Sequence, residues 1–410
     1  MKILLFGSGA REHALYEALK NSKLLGENDI YFAKTGAFAP FNVIEFCDYY
    51  ELAKKARDIG INLLIVGPEA PLADGICDVF LKFKINVIGA NSYWAQLESS
   101  KSFAKSFMKK FNIKTANYFL IEDISQIDGA LLKFTNPPVI KADGLAQGKG
   151  VYLPKTFEEA KNVAKDFLGG KFGNSSKKII LEQRLFGREL SVFSLWDGKT
   201  LKSFSPACDF KKLLDDDKGE NTGGMGSAYP CMLSDFELNE VNNYLKKLND
   251  ALSLSKADFC GVVYSGLMMC NEGLYVLEYN MRFGDPEIQS VLDNFCGDIL
   301  DVFLKMVDGK LDEIDFKFKD EPSYCVVLAS CGYPFSPQTG CEIFNLEAAK
   351  KYGVKVLLAG VKKLEGKYYT NGGRVLSLVK SGKNALLDIY KAAQEIKFDG
   401  KIYRKDIRLR

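Results

Sequence analysis

Between residues 1 and 90 the chain alternates short apolar runs with helical stretches. Residues 3–6, 30–33, 63–66 and 86–88 are apolar runs that end at turn residues, and residues 12–20 carry an amphipathic helical pattern. Strands alternating with helices force parallel pairing, because each crossover must carry the chain back to the same end of the sheet. Such a sheet places its binding loops at the carboxyl ends of its strands. The chain has 410 residues, too many for one hydrophobic core, so two to four domains are expected.

The remainder reads as mixed α+β structure. Helical signals cover 93–111. Residues 115–190 hold strand signals at 118–121, 139–141 and 178–182 and a helix at 157–167, a small unit that suits a mobile lid. Residues 191–320 form a larger unit with strands at 190–195, 261–269 and 274–278, and 323–410 read as a separate α+β tail with strands at 324–328 and 374–379. The expected fold class is α/β and α+β multidomain: 1–100, 101–322 with a lid at about 120–190, and 323–410.

Bulk properties exclude several classes. A net charge of +3 makes no case for nucleic acid or a membrane surface. There are ten cysteines with no C-x-x-C pair and a single histidine, so zinc-site spacing is missing. Cys260, Cys270 and Cys325 sit in apolar runs and read as reduced core thiols of a cytoplasmic protein. The apolar run before Gly7 is too short for a secretory leader, and no stretch approaches a membrane span.

The chemistry concentrates in a few segments. In Leu277-Glu278-Tyr279-Asn280-Met281-Arg282, Glu278 and Asn280 lie two apart on a strand and so share a face. A carboxylate and an amide oxygen aimed at one spot suit a hard cation, and Arg282 continues that face toward a transferring phosphoryl group. Gly7-Ser8-Gly9-Ala10-Arg11-Glu12-His13 follows the first strand and opens a helix, a phosphate-binding arrangement. Glu12 stands where a dinucleotide fingerprint needs its third glycine, and the second strand ends at Lys34 rather than an acid, which argues against NAD. Gly67-Pro68-Glu69 ends a neighbouring strand, and Glu69 can accept from a hydroxyl or amine; an ordinary stiff loop is the plainer reading.

Lys141-Ala142-Asp143-Gly144 through Gly148-Lys149-Gly150 lacks the Ser/Thr of a P-loop and fits a glycine-rich hairpin flap over phosphates. Glu182 and Glu189 flank a short crossing at Leu185 and suit an adenine amine and ribose hydroxyls, although surface glutamates are commoner. Asp209, Lys211, Asp215-Asp216-Asp217 and Asn221-Thr222-Gly223-Gly224-Met225-Gly226 read as one long polar functional loop.

Taken together, GSGAREHA, VGPEAPL, SKSFAKSF, IKADGLAQGKGV, ENTGGMG, LEYNMRFGDPE, TNGGRVL and YRKDI resemble the phosphoribosylamine–glycine ligases, ATP-grasp enzymes of purine biosynthesis, over essentially the whole chain. The resemblance implies an N-terminal pre-ATP-grasp domain, an ATP-grasp core with a lid, and a small C-terminal domain. It assigns ATP to Lys105, Lys141, Gly148, Lys149, Gly150, Glu182, Leu185 and Glu189, and Mg²⁺ or Mn²⁺ to Glu278 and Asn280. It gives phosphoribosylamine to Gly9, Arg11, Glu12, Pro68 and Glu69. The site for amino acid and amine falls to Gly223, Gly224, Met225, Gly226, Asp285 and Pro286, with Arg282, Lys141, Asp209 and Lys211 as the catalytic set. Ala10, Gln183, Phe210, Lys212 and Met281 depart from residues common in the family.

The implied reaction joins glycine to 5-phosphoribosylamine at the expense of ATP through glycyl phosphate. Positioning and electrostatics dominate such chemistry, which suits a chain with one histidine and no Ser-His or Cys-His arrangement. The expected partners are these small molecules, with no nucleic acid or membrane, and the expected state is a monomer. A related carboxylase using bicarbonate and a non-catalytic nucleotide-binding module are the rival readings.

Overall fold

The computed structural model describes residues 1–34, 36–39, 41–146 and 150–409. The first sheet has the order β2-β1-β3-β4, from β1 (Lys2–Phe6), β2 (Ile30–Phe32), β3 (Ile61–Val66) and β4 (Asn86–Ile88), all paired in parallel. Ile3, Leu4, Leu5, Leu63 and Leu64 are fully buried, as expected where helices cover both faces of a parallel sheet. The first helix, Ala10–Leu19, is not amphipathic: Ala10 to Leu15 are all buried. It is covered on its far side by helix Glu287–Asn294 and by a C-terminal strand, so polar residues of the motif lie inside the molecule.

The lid sheet has the order β5-β8-β6-β7, from β5 (Tyr118–Ile121), β6 (Val139–Ala142), β7 (Val151–Tyr152) and β8 (Ile179–Glu182), paired antiparallel. Its buried residues, including Ile121, Ile140, Ala160, Phe167 and Leu181, form a cluster separate from the main core. A second antiparallel sheet, β10-β9-β15-β16, joins β9 (Arg188–Trp196), β10 (Leu201–Ser203), β15 (Gly261–Cys270) and β16 (Gly273–Asn280). All ten residues of β15 are buried, because it is central in its sheet and packed on both faces.

The stretch expected to be a polar loop is largely paired strand. β11 (Cys208–Asp209) pairs with β14 (Gly226–Tyr229), and β12 (Lys212–Leu214) pairs with β13 (Lys218–Asn221) around a turn where Asp216 and Asp217 take positive φ. This hairpin is half-buried or exposed along its length and has no apolar alternation to betray it. Helix Asp235–Leu254, capped by Ser234 and Glu237, follows β14.

The C-terminal region pairs with the middle of the chain through one sheet. β17 (Ser323–Ala329) and β22 (Arg374–Ser381) form one five-stranded sheet, β11-β14-β17-β22-β19, with β19 (Lys355–Leu358) and the two strands from the middle of the chain. Gly226 faces Val326 across β14 and β17, where a Cβ would stand 2.6 Å from the Cys325 carbonyl oxygen. A smaller sheet, β18-β21-β20, comprises β18 (Glu342–Ile343), β20 (Val361–Leu364) and β21 (Lys367–Thr370). Within the shared sheet, Cys208 on β11 and Cys231 just beyond β14 are disulfide-bonded, with Cα atoms 5.6 Å apart, a pairing the sequence reading did not foresee. Cys260, Cys270 and Cys325 are free thiols, the last two buried. Among the described residues no helix is long and apolar enough to cross a membrane.

Candidate active site

The N-terminal loops close around Glu12. Its carboxylate accepts the Gly9 N–H at 2.6 Å and the Arg11 Nε–H at 2.7 Å, and the residue is 2% exposed. Gly7 and Gly67, at the ends of adjacent strands β1 and β3, leave the space: a Cβ on Gly7 would lie 2.6 Å from Glu12 Cδ, and one on Gly67 would run into its carboxylate. Glu12 thus shapes the loop from within. Arg11 reaches across to the Phe283 carbonyl at 3.1 Å. Pro68 precedes the short helix Glu69–Ala73, and Glu69 stands half-buried at its start. Burial alone would raise the Glu69 pKa, but Arg282 and Arg11 carry it below its usual value.

At the junction of the lid and the larger sheet, Glu182 ends β8 between two ammonium groups, with one carboxylate oxygen on Lys105 and the other on Lys141. All three are buried. Burial and the neighbouring Lys141 bring Lys105 down to about 8 despite its pairing with Glu182. Burial opposes ionisation of Glu182, and the two lysines more than offset it. In this arrangement the Glu182 carboxylate is engaged by lysines. Glu189 likewise meets Lys211 at 2.7 Å on the surface of β9. Leu185 lies half-buried on the link between β8 and β9, and Gly150 is buried where Ala142 donates to its carbonyl at 2.8 Å. Gly148 and Lys149 lie outside the described residues.

Glu278 and Asn280 end β16, on one face, opposite Gly266 and Tyr264 of β15. Gly266 leaves room for Glu278, whose Cγ would be 3.2 Å from a Cβ there. Burial would raise the Glu278 pKa, but Lys211, Lys141, Lys101 and Arg282 hold it below the usual range. An ionised carboxylate and an amide oxygen beside lysines that suit phosphates form the oxygen-only donor set preferred by Mg²⁺, which retains waters and takes phosphate ligands. Among the described residues, no group of three or more His, Cys, Asp or Glu is placed to hold a metal ion.

Arg282 lies between the N-terminal loops and this strand. Its Nη2 meets Glu98 Oε1 at 2.9 Å and Asn280 Oδ1 at 3.2 Å, and its Nε is 3.6 Å from Glu69. Burial would lower its pKa; Glu98 and Glu69 instead raise it, so the guanidinium is permanently charged. Next to it, Asp285 is bound by Gln289 at 2.8 Å and Arg374 at 3.3 Å. Pro286 precedes helix Glu287–Asn294, and its Cδ and Asp209 Oδ1 press on Gly224, which has φ +113°. Burial and Glu287 push Asp209 well above the usual carboxylate range, and its Oδ1 is buried without a hydrogen-bond partner. Gly223 is exposed, while Met225 and Gly226 are buried between β11 and β17.

Sequence reasoning missed four residues that complete this cluster. Lys101 is half-buried beside Glu278 and Lys141, with its pKa lowered by burial. Glu98 holds Arg282, Glu287 accepts from Ser191 Oγ at 2.9 Å, and Arg374 binds Asp285. Glu98 lies just before the SKSFAKSF motif, and Lys101, Glu287 and Arg374 stand inside the SKSFAKSF, LEYNMRFGDPE and TNGGRVL motifs, which were the available signal.

A lid sheet with its own core, beside a sheet whose last strand ends on Glu278 and Asn280 with Arg282 just beyond, defines an ATP-grasp protein. The chain belongs to the phosphoribosylglycinamide synthetase family: the N domain of that family matches residues 1–98, the ATP-grasp (A) domain 99–288 and the C domain 323–410. It is 42% identical to the phosphoribosylamine–glycine ligase of Clostridium acetobutylicum, over 99% of each chain. The crystal structure of the Thermotoga maritima phosphoribosylamine–glycine ligase superposes with a TM-score of 0.84 at 30% identity, covering all of both chains. The biotin carboxylase domain of Hydrogenobacter thermophilus 2-oxoglutarate carboxylase shares the fold alone, with a TM-score of 0.71 at 14% identity over 98% of this chain and 91% of that one.

Proposed function

We propose that this chain is a phosphoribosylamine–glycine ligase of purine biosynthesis, joining ATP, glycine and 5-phosphoribosylamine into glycinamide ribonucleotide, ADP and phosphate. The observation that carries the reading is the placement of Arg282, just past the end of the strand that carries Glu278 and Asn280, within reach of Glu69 from the N-terminal loops. One arginine then touches the nucleotide side and the amine side of the same cleft.

In the first step a glycine carboxylate oxygen attacks the γ-phosphorus, the bond from that phosphorus to the β–γ bridging oxygen breaks, and ADP leaves. In the second, the ribosylamine nitrogen attacks the acyl carbon of glycyl phosphate, the acyl C–O bond breaks, and phosphate and a proton depart. Lys105, Lys141, Gly148, Lys149 and Gly150 hold the phosphates, with Glu182 keeping Lys105 and Lys141 aligned. Leu185 and Glu189 lie beside the adenosine. Glu278 and Asn280 would hold Mg²⁺ or Mn²⁺, which supplies charge neutralisation between the phosphates. Arg282 stabilises charge on the transferring phosphoryl group. Gly9, Arg11, Pro68 and Glu69 bind the phosphoribosylamine, with Glu12 supporting the loop. Asp209, Lys211 and the Gly223–Gly226 segment, with Asp285 and Pro286, frame glycine and the amine. Lid closure keeps water from the acyl phosphate. The domain limits are 1–100, 101–322 and 323–410, and the enzyme works as a cytoplasmic monomer.

ADP release with ATP, Mg²⁺, glycine and fresh phosphoribosylamine, omitting each in turn, tests the reading. Release that needs both glycine and the amine supports it. Release with bicarbonate replacing glycine would move the chain to carboxylase chemistry.

A further inference from the structure

Arg374 begins β22, which lies between β17 and β19 in the shared sheet. Its Nη1 donates to the Gly223 carbonyl at 2.7 Å and to the Asp285 carbonyl at 2.6 Å, and it lies 3.3 Å from Asp285 Oδ1. Tyr333 completes the contact from the other side, its hydroxyl accepting the Gly223 N–H at 2.9 Å. Missing side chains make this approach possible. A Cβ on Gly223 would be 3.1 Å from Arg374 Cζ and 3.3 Å from the Tyr333 hydroxyl, and one on Gly373 would run into the Tyr333 ring.

Both backbone positions that Arg374 holds lie beside the cluster of Asp209, Pro286 and Arg282. Gly223 leads into Gly224, which lies against Asp209 Oδ1 and Pro286. Asp285 sits two residues beyond the Phe283 carbonyl that Arg11 and Arg282 both bind. N-terminal, middle and C-terminal regions therefore meet at Asp285. Two carbonyls and one carboxylate converging on a single guanidinium fix two loops in one register, which a point charge on a flexible stem does less well.

We propose that Arg374 and Tyr333 are positioning residues that set the Gly223 and Asp285 backbone, and through it the binding of glycine and the ribosylamine but not of ATP. The inference rests on the ligase reading above.

Steady-state kinetics of Arg374→Lys and Tyr333→Phe test it, with each substrate varied in turn and ADP affinity measured by calorimetry. The expected result is a KM for glycine or for the amine raised roughly tenfold, the effect of about one lost hydrogen bond to a charged group. KM for ATP and the ADP affinity should stay within about twofold. Arg374→Ala should be worse than Arg374→Lys, which keeps the charge near Asp285. If Arg374→Ala does not fold, Tyr333→Phe, which removes one hydroxyl, decides the matter. Unchanged KM for both glycine and the amine in the two conservative variants overturns the proposal, as does an equal rise for all three substrates. Wild-type ADP release that needs neither glycine nor the amine would sink the ligase reading and this inference together. Normal wild-type turnover with unshifted variants sinks the inference alone.

Discussion

Glu98 and Arg282 form an ion pair at 2.9 Å, and the same Glu98 carboxylate accepts the Met281 N–H at 2.8 Å. One buried acid thus orients both the side chain and the backbone of the strand end that carries the proposed phosphoryl-binding arginine. Removing it leaves a charge without its partner. Glu98→Ala should destabilise the protein by about 3 kcal/mol, the usual scale for breaking a buried pair. Urea unfolding at neutral pH measures this, and a loss under about 1 kcal/mol would mean that Glu69 and solvent compensate fully.

Arg282→Ala should lower kcat by about 100-fold or more, the scale of losing one donor that stabilises transition-state charge. Single-turnover ADP formation is the measurement. A near-normal rate would take Arg282 out of the chemistry and leave it as a strut between Glu69 and Glu98.

Glu278→Gln keeps the size of the side chain and removes the charge that four cationic neighbours hold ionised. The Mg²⁺ concentration for half-maximal activity should rise by about tenfold or more, since a hard cation depends on carboxylate charge. An unchanged Mg²⁺ titration would place the metal elsewhere.

His13 makes stability depend on pH. Its Nδ1 accepts the Leu358 N–H at 2.8 Å and its ring stacks on Phe38, so the neutral form carries its proton on Nε2. Burial, with a smaller contribution from Lys20, lowers its pKa from 6.5 to about 3, and Glu17 lies 3.8 Å from Nε2. The unfolded chain binds a proton here below pH 6.5, and the folded chain does so only near 3. Stability from this group is therefore present above pH 6.5 and falls by about 1.4 kcal/mol per unit as pH drops toward 3. His13→Asn offers an oxygen acceptor to Leu358 without the titration, so its stability should fall less steeply between pH 6 and about 4.5. Parallel curves for the two proteins would refute the assignment.

Much of the site was legible because its chemistry is local in sequence. Glu278 and Asn280 share a face by strand periodicity, and Gly7 and Gly9 open a helix after a strand. Other residues were hidden. Glu98 stands in a four-residue helix with no pattern of its own, and its role exists only because Met281 and Arg282 arrive beside it. Glu182 reads as an adenosine ligand, but its position between Lys105 and Lys141 follows from the packing of the lid strand on the helix Lys101–Lys110.

The sequence by itself determined the parallel N-terminal sheet, the long strands of the middle region, the shared face of Glu278 and Asn280, and the family, since periodicity, turn residues and contiguous motifs are written along the chain. Tertiary structure decided that the C-terminal region shares a sheet with β11 and β14, that helix Ala10–Leu19 is buried on both sides, and that Arg374 and Tyr333 hold Gly223. These relations join residues far apart in the chain, from Tyr229 and Ser323 to His13 and Leu358. Strand pairing and burial between such segments depend on which surfaces meet, and no local spacing records that.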